Sequence, residues 1–162
     1  MSNEGQSPTR RSKFLVVVDN SPECKSAIRF ACRRAWHVGG GVTLLFVIEP
    51  PEFQHWMGVE QAMREEAREE AEELLQKLAE EIQNDTNLVP EFAIRDGYVK
   101  DELLALIEED PDIRILVLAA SPDKTGPGPL IKGLVVEMSG TFAIPITVVP
   151  GNLSDRQLDA VT

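Results

Sequence analysis

Cysteine is scarce in this chain. The 162 residues include two, Cys24 and Cys32. They stand eight apart, which is neither a CxxC pair nor a metal-ligand spacing, and they read as free core thiols in a reducing compartment. Histidine is equally rare: His37 and His55 have no neighbours patterned for zinc, which argues against a metal site built by the protein. Long apolar runs are missing too, for none approaches the ~20 residues that span a bilayer. Positive charge is short: 16 Lys and Arg against 27 Asp and Glu leave a net charge of −11. That balance argues against nucleic acid as a main partner, because phosphate backbones require a concentrated basic surface. The pair Arg10-Arg11 precedes an apolar run, as in a twin-arginine export signal, but Asp19 closes the run after Phe14 to Val18. An export signal needs an apolar region of ~7–15 residues, so a cytoplasmic protein is expected.

What is present is the make-up of one globular domain. Hydrophobic residues form 43% of the chain, enough for a single sizeable core at this length. Residues 1–12 are rich in Ser, Gly, Pro, Asn and Arg and are expected to form a disordered tail. "KFLVVVD" reads as a strand buried on both faces. A helix is expected next, with Ser21 as its N-cap, Pro22 at its first position, Ala27, Ile28, Ala31 and Ala35 on its buried side, and glycine at its end. "VTLLFVIEP" is a second strand. A loop containing Trp56 leads to a long helix whose apolar stripe is Met63, Ala67, Ala71, Leu74, Leu78 and Ile82. Its many Glu and Arg residues read as a solvated face.

"LVPEFAIRDG" is a third strand, placed at an edge by Pro90. A helix buries Leu103, Leu104, Leu106 and Ile107. "DIRILVLAAS" is the fourth strand. A loop, "SPDKTGPGP", leads to a weak helix over "LIKGLVVEMSG" and a fifth strand, "IPITVVPG". Residues 151–162 form a tail with a short helix capped by Ser154. Alternating strands and helices predict one α/β domain over residues 13–150, a five-stranded parallel doubly wound sheet with helices on both faces. In such sheets ligands bind at the carboxyl ends of strands beside the point where winding reverses. The loops after the first and fourth strands are expected to meet there.

Asp19, at the end of the first strand, can accept hydrogen bonds from a base or sugar, or help to cap the helix that follows. The loop "TGPGPLIKG" has three readings. It is a phosphate cradle made of the N–H groups of Thr125, Gly126 and Gly128, a helix N-terminus and Lys132, or a stiff crossover, or a partner-binding or lid loop. Pro127 and Pro129 remove two donors from the cradle. Walker and dinucleotide glycine patterns are absent. So are a nucleophile elbow and any histidine paired with a nucleophile, and no catalytic constellation appears.

Taken together, "FLVVVDNSPECKSAIRFAC", "VTLLFVIEPP", "DIRILVLAAS" and "IPITVVP" resemble the universal stress proteins over about residues 13 to 150. The resemblance implies the strand order 3-2-1-4-5 and a homodimer joined through the last strand, with Ile146 and Val148 at the interface. It also implies a nucleotide-binding branch in which Asp19 lies near the adenosine and the backbone of Val47 meets adenine. That branch carries Gly, two residues, Gly, nine residues, then Gly and a Ser or Thr. Counted back from Pro145, those positions hold Ala119, Pro122, Lys132 and Gly133. Ending the motif on Gly140-Thr141 puts Pro127 and Leu130 at its first two glycines. Starting it from Gly126 puts Pro129 at the second. No register fits.

The leading expectation is therefore a dimeric regulatory or protective stress-response module with a weakened nucleotide site. No cofactor is required, and ATP or AMP is the ligand the resemblance implies. The alternatives are a nucleotide sensor or slow ATP hydrolase using Lys132 and the altered loop, and a protein-interaction module using the acidic helix or Trp56. An enzyme of the wider nucleotide-binding superfamily comes last.

Overall fold

Five β-rich runs become five parallel strands: β1 (Lys13–Val17), β2 (Gly41–Ile48), β3 (Glu91–Asp96), β4 (Ile113–Ala120) and β5 (Ile146–Pro150). The computed structural model describes residues 11–50 and 57–162. Residues 1–10 of the expected tail (1–12), and Trp56, lie outside the described residues. The strands form one sheet in the order β3-β2-β1-β4-β5. β3 is an edge strand, and Pro90 falls just before it, where no ladder N–H is required.

Alternation along the strands divides the core between the two faces. Phe14, Val16, Leu44 and Val117 face α1 (Cys24–Val38), α2 (Met57–Thr86) and, at the end of the chain, α5 (Asp155–Ala160). Leu15, Leu45, Leu116 and Leu118 face α3 (Val99–Glu109) and α4 (Pro129–Ile131), which continues into a π-helical turn, Lys132–Val136. A sheet covered on both sides explains why these strands are almost wholly apolar.

Three local expectations are corrected. Helix α1 starts at Cys24, after Glu23, and neither Ser21 caps it nor Pro22 opens it. The Ser21 hydroxyl donates to Asp19 instead, and the Ser21 carbonyl accepts from the Cys24 N–H in a preceding turn. On α2, Met63 is 53% exposed, whereas Leu75 is fully buried. The 30 residues of α2 extend for about 45 Å, while strands of five to eight residues cover only about 17–26 Å. The early turns of α2 therefore run past the sheet, and the buried stripe becomes Ala71, Leu75, Leu78 and Ile82. On α3, Leu104 is half-buried rather than buried.

The end of the chain is tied to α1. Ser154 and Gln157 form a reciprocal capping box on α5. Arg29 of α1 makes a bidentate pair with Asp159 at 2.8 and 2.9 Å, which holds the Asp159 carboxyl below its usual range. Opposite the carboxyl ends of the strands, Lys13 bonds Asp110 at 2.7 Å and Glu91 at 2.8 Å, tying together the starts of β1, β3 and β4. The ammonium is held charged to higher pH, chiefly by the bond to Asp110.

Candidate functional site

Winding reverses between β1, the central strand, and β4 beside it. Val18 continues the β1 ladder by donating to the Leu45 carbonyl at 2.7 Å, and Asp19 then emerges at the rim. Its Oδ1 accepts from the Ser21 N–H at 2.9 Å and from the Ser21 hydroxyl. This local turn fixes the carboxylate in place. Its Oδ2 receives no hydrogen bond from the described residues.

Two cavities meet at this rim. The larger, about 580 Å³, is lined by Asp19, Asn20, Val47, Glu49, Tyr98 and Lys100, among others. That volume lies within the ~300–1,000 Å³ common for small-molecule sites. The smaller, about 100 Å³, lies under Pro127 to Ile131 and is lined on its other side by Ser21, Cys24 and Ala119. Val17, Asp19, Pro129 and Leu130 line both and form the wall between them.

Asp19 and Val47 are thus brought together in one cavity, and Gly128 lines the other. Thr125, Gly126, Lys132 and Gly133 line neither. The loop is bonded to itself. The Gly126 N–H donates to the Asp123 carbonyl at 3.2 Å, and the Pro127 carbonyl accepts from the Ser121 N–H at 3.2 Å. The Gly128 carbonyl accepts from the Lys132 N–H at 3.2 Å. The Lys132 side chain packs beside Gly126, and its Nζ would stand 3.3 Å from a Cβ added there. Gly126 and Gly128 both have positive φ, at 111° and 107°, which the loop's folded-back path requires.

Sequence reasoning missed Glu49, Tyr98 and Lys100. The signal was available, since the loop after β3 also opens at the carboxyl edge of the sheet, next to β2. The Glu49 carboxylate accepts from the Val99 N–H at 3.3 Å, at the start of α3. Cys24, in the smaller cavity, has the character of a core thiol: burial pushes it up to about 11, and Sγ contacts the Val17 carbonyl at 3.6 Å. Cys32 is buried and free as well, with its thiol pushed up to about 12 by burial. Among the described residues no group of three His, Cys, Asp or Glu could hold a metal ion, and no helix is long and apolar enough to cross a membrane.

A separate cleft of about 220 Å³ runs between α1 and α2. It lies away from the strand ends, and its two arginines are already paired, Arg29 near Asp85 and Asp155 and Arg33 against Asp159. The rim cavities are the better candidate.

A family model described as the universal stress protein family matches residues 10–138. Among solved structures, the universal stress protein UspA from Lactobacillus plantarum aligns with a TM-score of 0.71 at 18% identity, covering 88% of this chain and 99% of that one. A universal stress protein in complex with cAMP aligns with a TM-score of 0.60 at 13% identity, covering 89% and 100%. The universal stress protein from Archaeoglobus fulgidus in complex with dAMP aligns with a TM-score of 0.58 at 16% identity, covering 87% and 99%. No curated protein sequence matches the chain. At these identities the structural likeness establishes the fold.

Proposed function

The chain belongs to the universal stress protein family, and from that premise we propose that it is a cytoplasmic, dimeric regulatory or protective module with a reduced nucleotide site. The site keeps the adenosine half, at Asp19 and Val47, and lacks a triphosphate grip. One observation carries this reading. The loop over residues 121–132 is bonded to itself, and Pro129 and Leu130 wall off a space of about 100 Å³ where a phosphate chain would enter. A Gly126 N–H already bonded to Asp123 is not free to bind phosphate, and prolines at 127 and 129 carry no N–H. Two relatives of the same fold were solved with nucleotides bearing a single phosphate, cAMP and dAMP. The larger cavity offers room for such a ligand.

Calorimetry of the purified chain with adenosine, AMP and ATP tests this. Adenosine and AMP bind, and ATP binds no tighter than AMP. ATP binding more than about tenfold tighter than AMP, a gain of about 1.4 kcal/mol, supports the alternative, a sensor or slow hydrolase that brings Lys132 into the cavity.

The dimer reading rests on β5, which has no neighbour on its outer side among the described residues. Val148 there is 39% exposed, whereas Ile146 packs against the chain's own core. Val148→Lys is therefore the cleaner probe. It converts dimers to monomers by light scattering while thermal unfolding stays cooperative. Unchanged mass places the interface elsewhere.

A further inference from the structure

We propose that Lys100 sets the phosphate preference of the larger cavity, with its ammonium holding the phosphate of a nucleoside 5′-monophosphate. The proposal rests on the nucleotide reading above and adds the residue and the direction in which the phosphate lies. Lys100 is the one cationic side chain among the described residues that line this cavity, where it stands with two carboxylates, Asp19 and Glu49. It is exposed and forms no ion pair with the described residues. Structural need does not account for it. A lysine in the first turn of a helix opposes the helix dipole, and Asp101 and Glu102 are the residues of that turn that suit it.

Two other sources of positive potential near the cavity are engaged elsewhere. The first N–H of α3, on Val99, donates to Glu49, so the end of that helix is occupied by a carboxylate of the protein itself. Lys132 lies outside the cavity beside Gly126, beyond the wall formed by Pro129 and Leu130. A nucleoside held by Asp19 and Val47 therefore finds the cavity's one lining lysine on the α3 side. Its phosphate points toward Lys100 and away from the loop after β4. One ammonium suits one phosphate and supplies nothing to orient a chain of three.

Calorimetry with adenosine and AMP on the full chain and its variants tests this. In the unaltered protein AMP binds about tenfold tighter than adenosine, the size expected of one charge-assisted hydrogen bond. The margin shrinks at about 0.3 M salt, because an exposed ion pair is screened. Lys100→Gln removes the margin and leaves adenosine binding within about twofold. Lys100→Arg keeps most of it, and Lys132→Gln leaves it intact. The proposal is overturned if AMP binds no tighter than adenosine, or if the margin survives Lys100→Gln or disappears in Lys132→Gln. Equal losses of adenosine and AMP in Lys100→Gln also overturn it, since they reveal a structural role. If the unaltered protein binds neither compound, the nucleotide reading falls and this proposal falls with it. Adenosine binding without an AMP margin sinks only the role of Lys100.

Discussion

Gly151→Ala lowers the free energy of unfolding by about 3 kcal/mol, as expected when a methyl group is forced into a space with no slack. Gly151 follows β5 and donates its N–H to the Ala120 carbonyl at 2.9 Å. A Cβ there would stand 2.5 Å from that same carbonyl oxygen, 2.7 Å from the Glu23 Cβ and 3.2 Å from the Pro122 Cδ. The first two contacts are with backbone and with the stem of a side chain, so no rotamer change relieves them. Three segments meet at this point: the turn after β5, the end of β4 and the loop before α1. Two of them border the smaller cavity through Glu23 and Ala119. The substitution therefore also loosens the rim that positions the candidate binding residues. Denaturant unfolding checks this by a lower midpoint at unchanged slope. Gly140→Ala is the control, because nothing lies within 4 Å of a Cβ added there, and it changes stability by less than about 1 kcal/mol. A Gly151→Ala midpoint equal to that of the control would mean that the three segments part without cost.

Most of the architecture was legible because it depends on patterns with a short range. β-branched runs closed by Asp19 and Pro50, a helix closed by Gly39 in the left-handed conformation, and Ser154 three residues before Gln157 each announce an element from within a few residues. What failed depends on distance. Met63 and Leu75 both satisfy a helical stripe, and only the length of the sheet decides which one is covered. Ser21 has the right chemistry for a cap, but the nearer carboxylate of Asp19 takes its hydroxyl. At the site, the loops after β1 and β4 were placed by the topology rule, and both border the cavities. Glu49, Tyr98 and Lys100 escaped notice because no motif marks them. Their place follows from the parallel pairing of β2 with β3, which brings the end of β3 beside that of β2, where Val47 pairs with Arg95. The glycines at 126 and 128 and the lysine at 132 carried the opposite lesson. Their spacing suggested a cradle, while the backbone bonds of the loop close it on itself.

Asp19→Ala lowers the affinity for adenosine by about 10- to 100-fold, because a hydrogen bond to a charged group contributes ~1.5–3 kcal/mol and each 1.4 kcal/mol is tenfold. The two carboxylate oxygens have separate duties. Oδ1 is held by the Ser21 N–H and hydroxyl, which sets the direction of the group, and Oδ2 is left to accept from a sugar hydroxyl or a base N–H. Asp19 lines both cavities, so no other single carboxylate among the described residues is placed to replace it. Glu49 comes nearest, but it lines only the larger cavity and is bonded to the Val99 N–H. Removing Asp19 also removes the turn that it forms with Ser21, at a cost to stability of about 1 kcal/mol. Binding is therefore measured well below the unfolding midpoint. Asp19→Asn separates the two duties: its amide oxygen still accepts from Ser21, while the charge on the ligand side is gone. Its affinity falls by about tenfold with almost no loss of stability. If Asp19→Ala is folded and binds adenosine as tightly as the unaltered chain, the adenosine half of the site does not depend on Asp19, and the reduced-site reading loses its anchor.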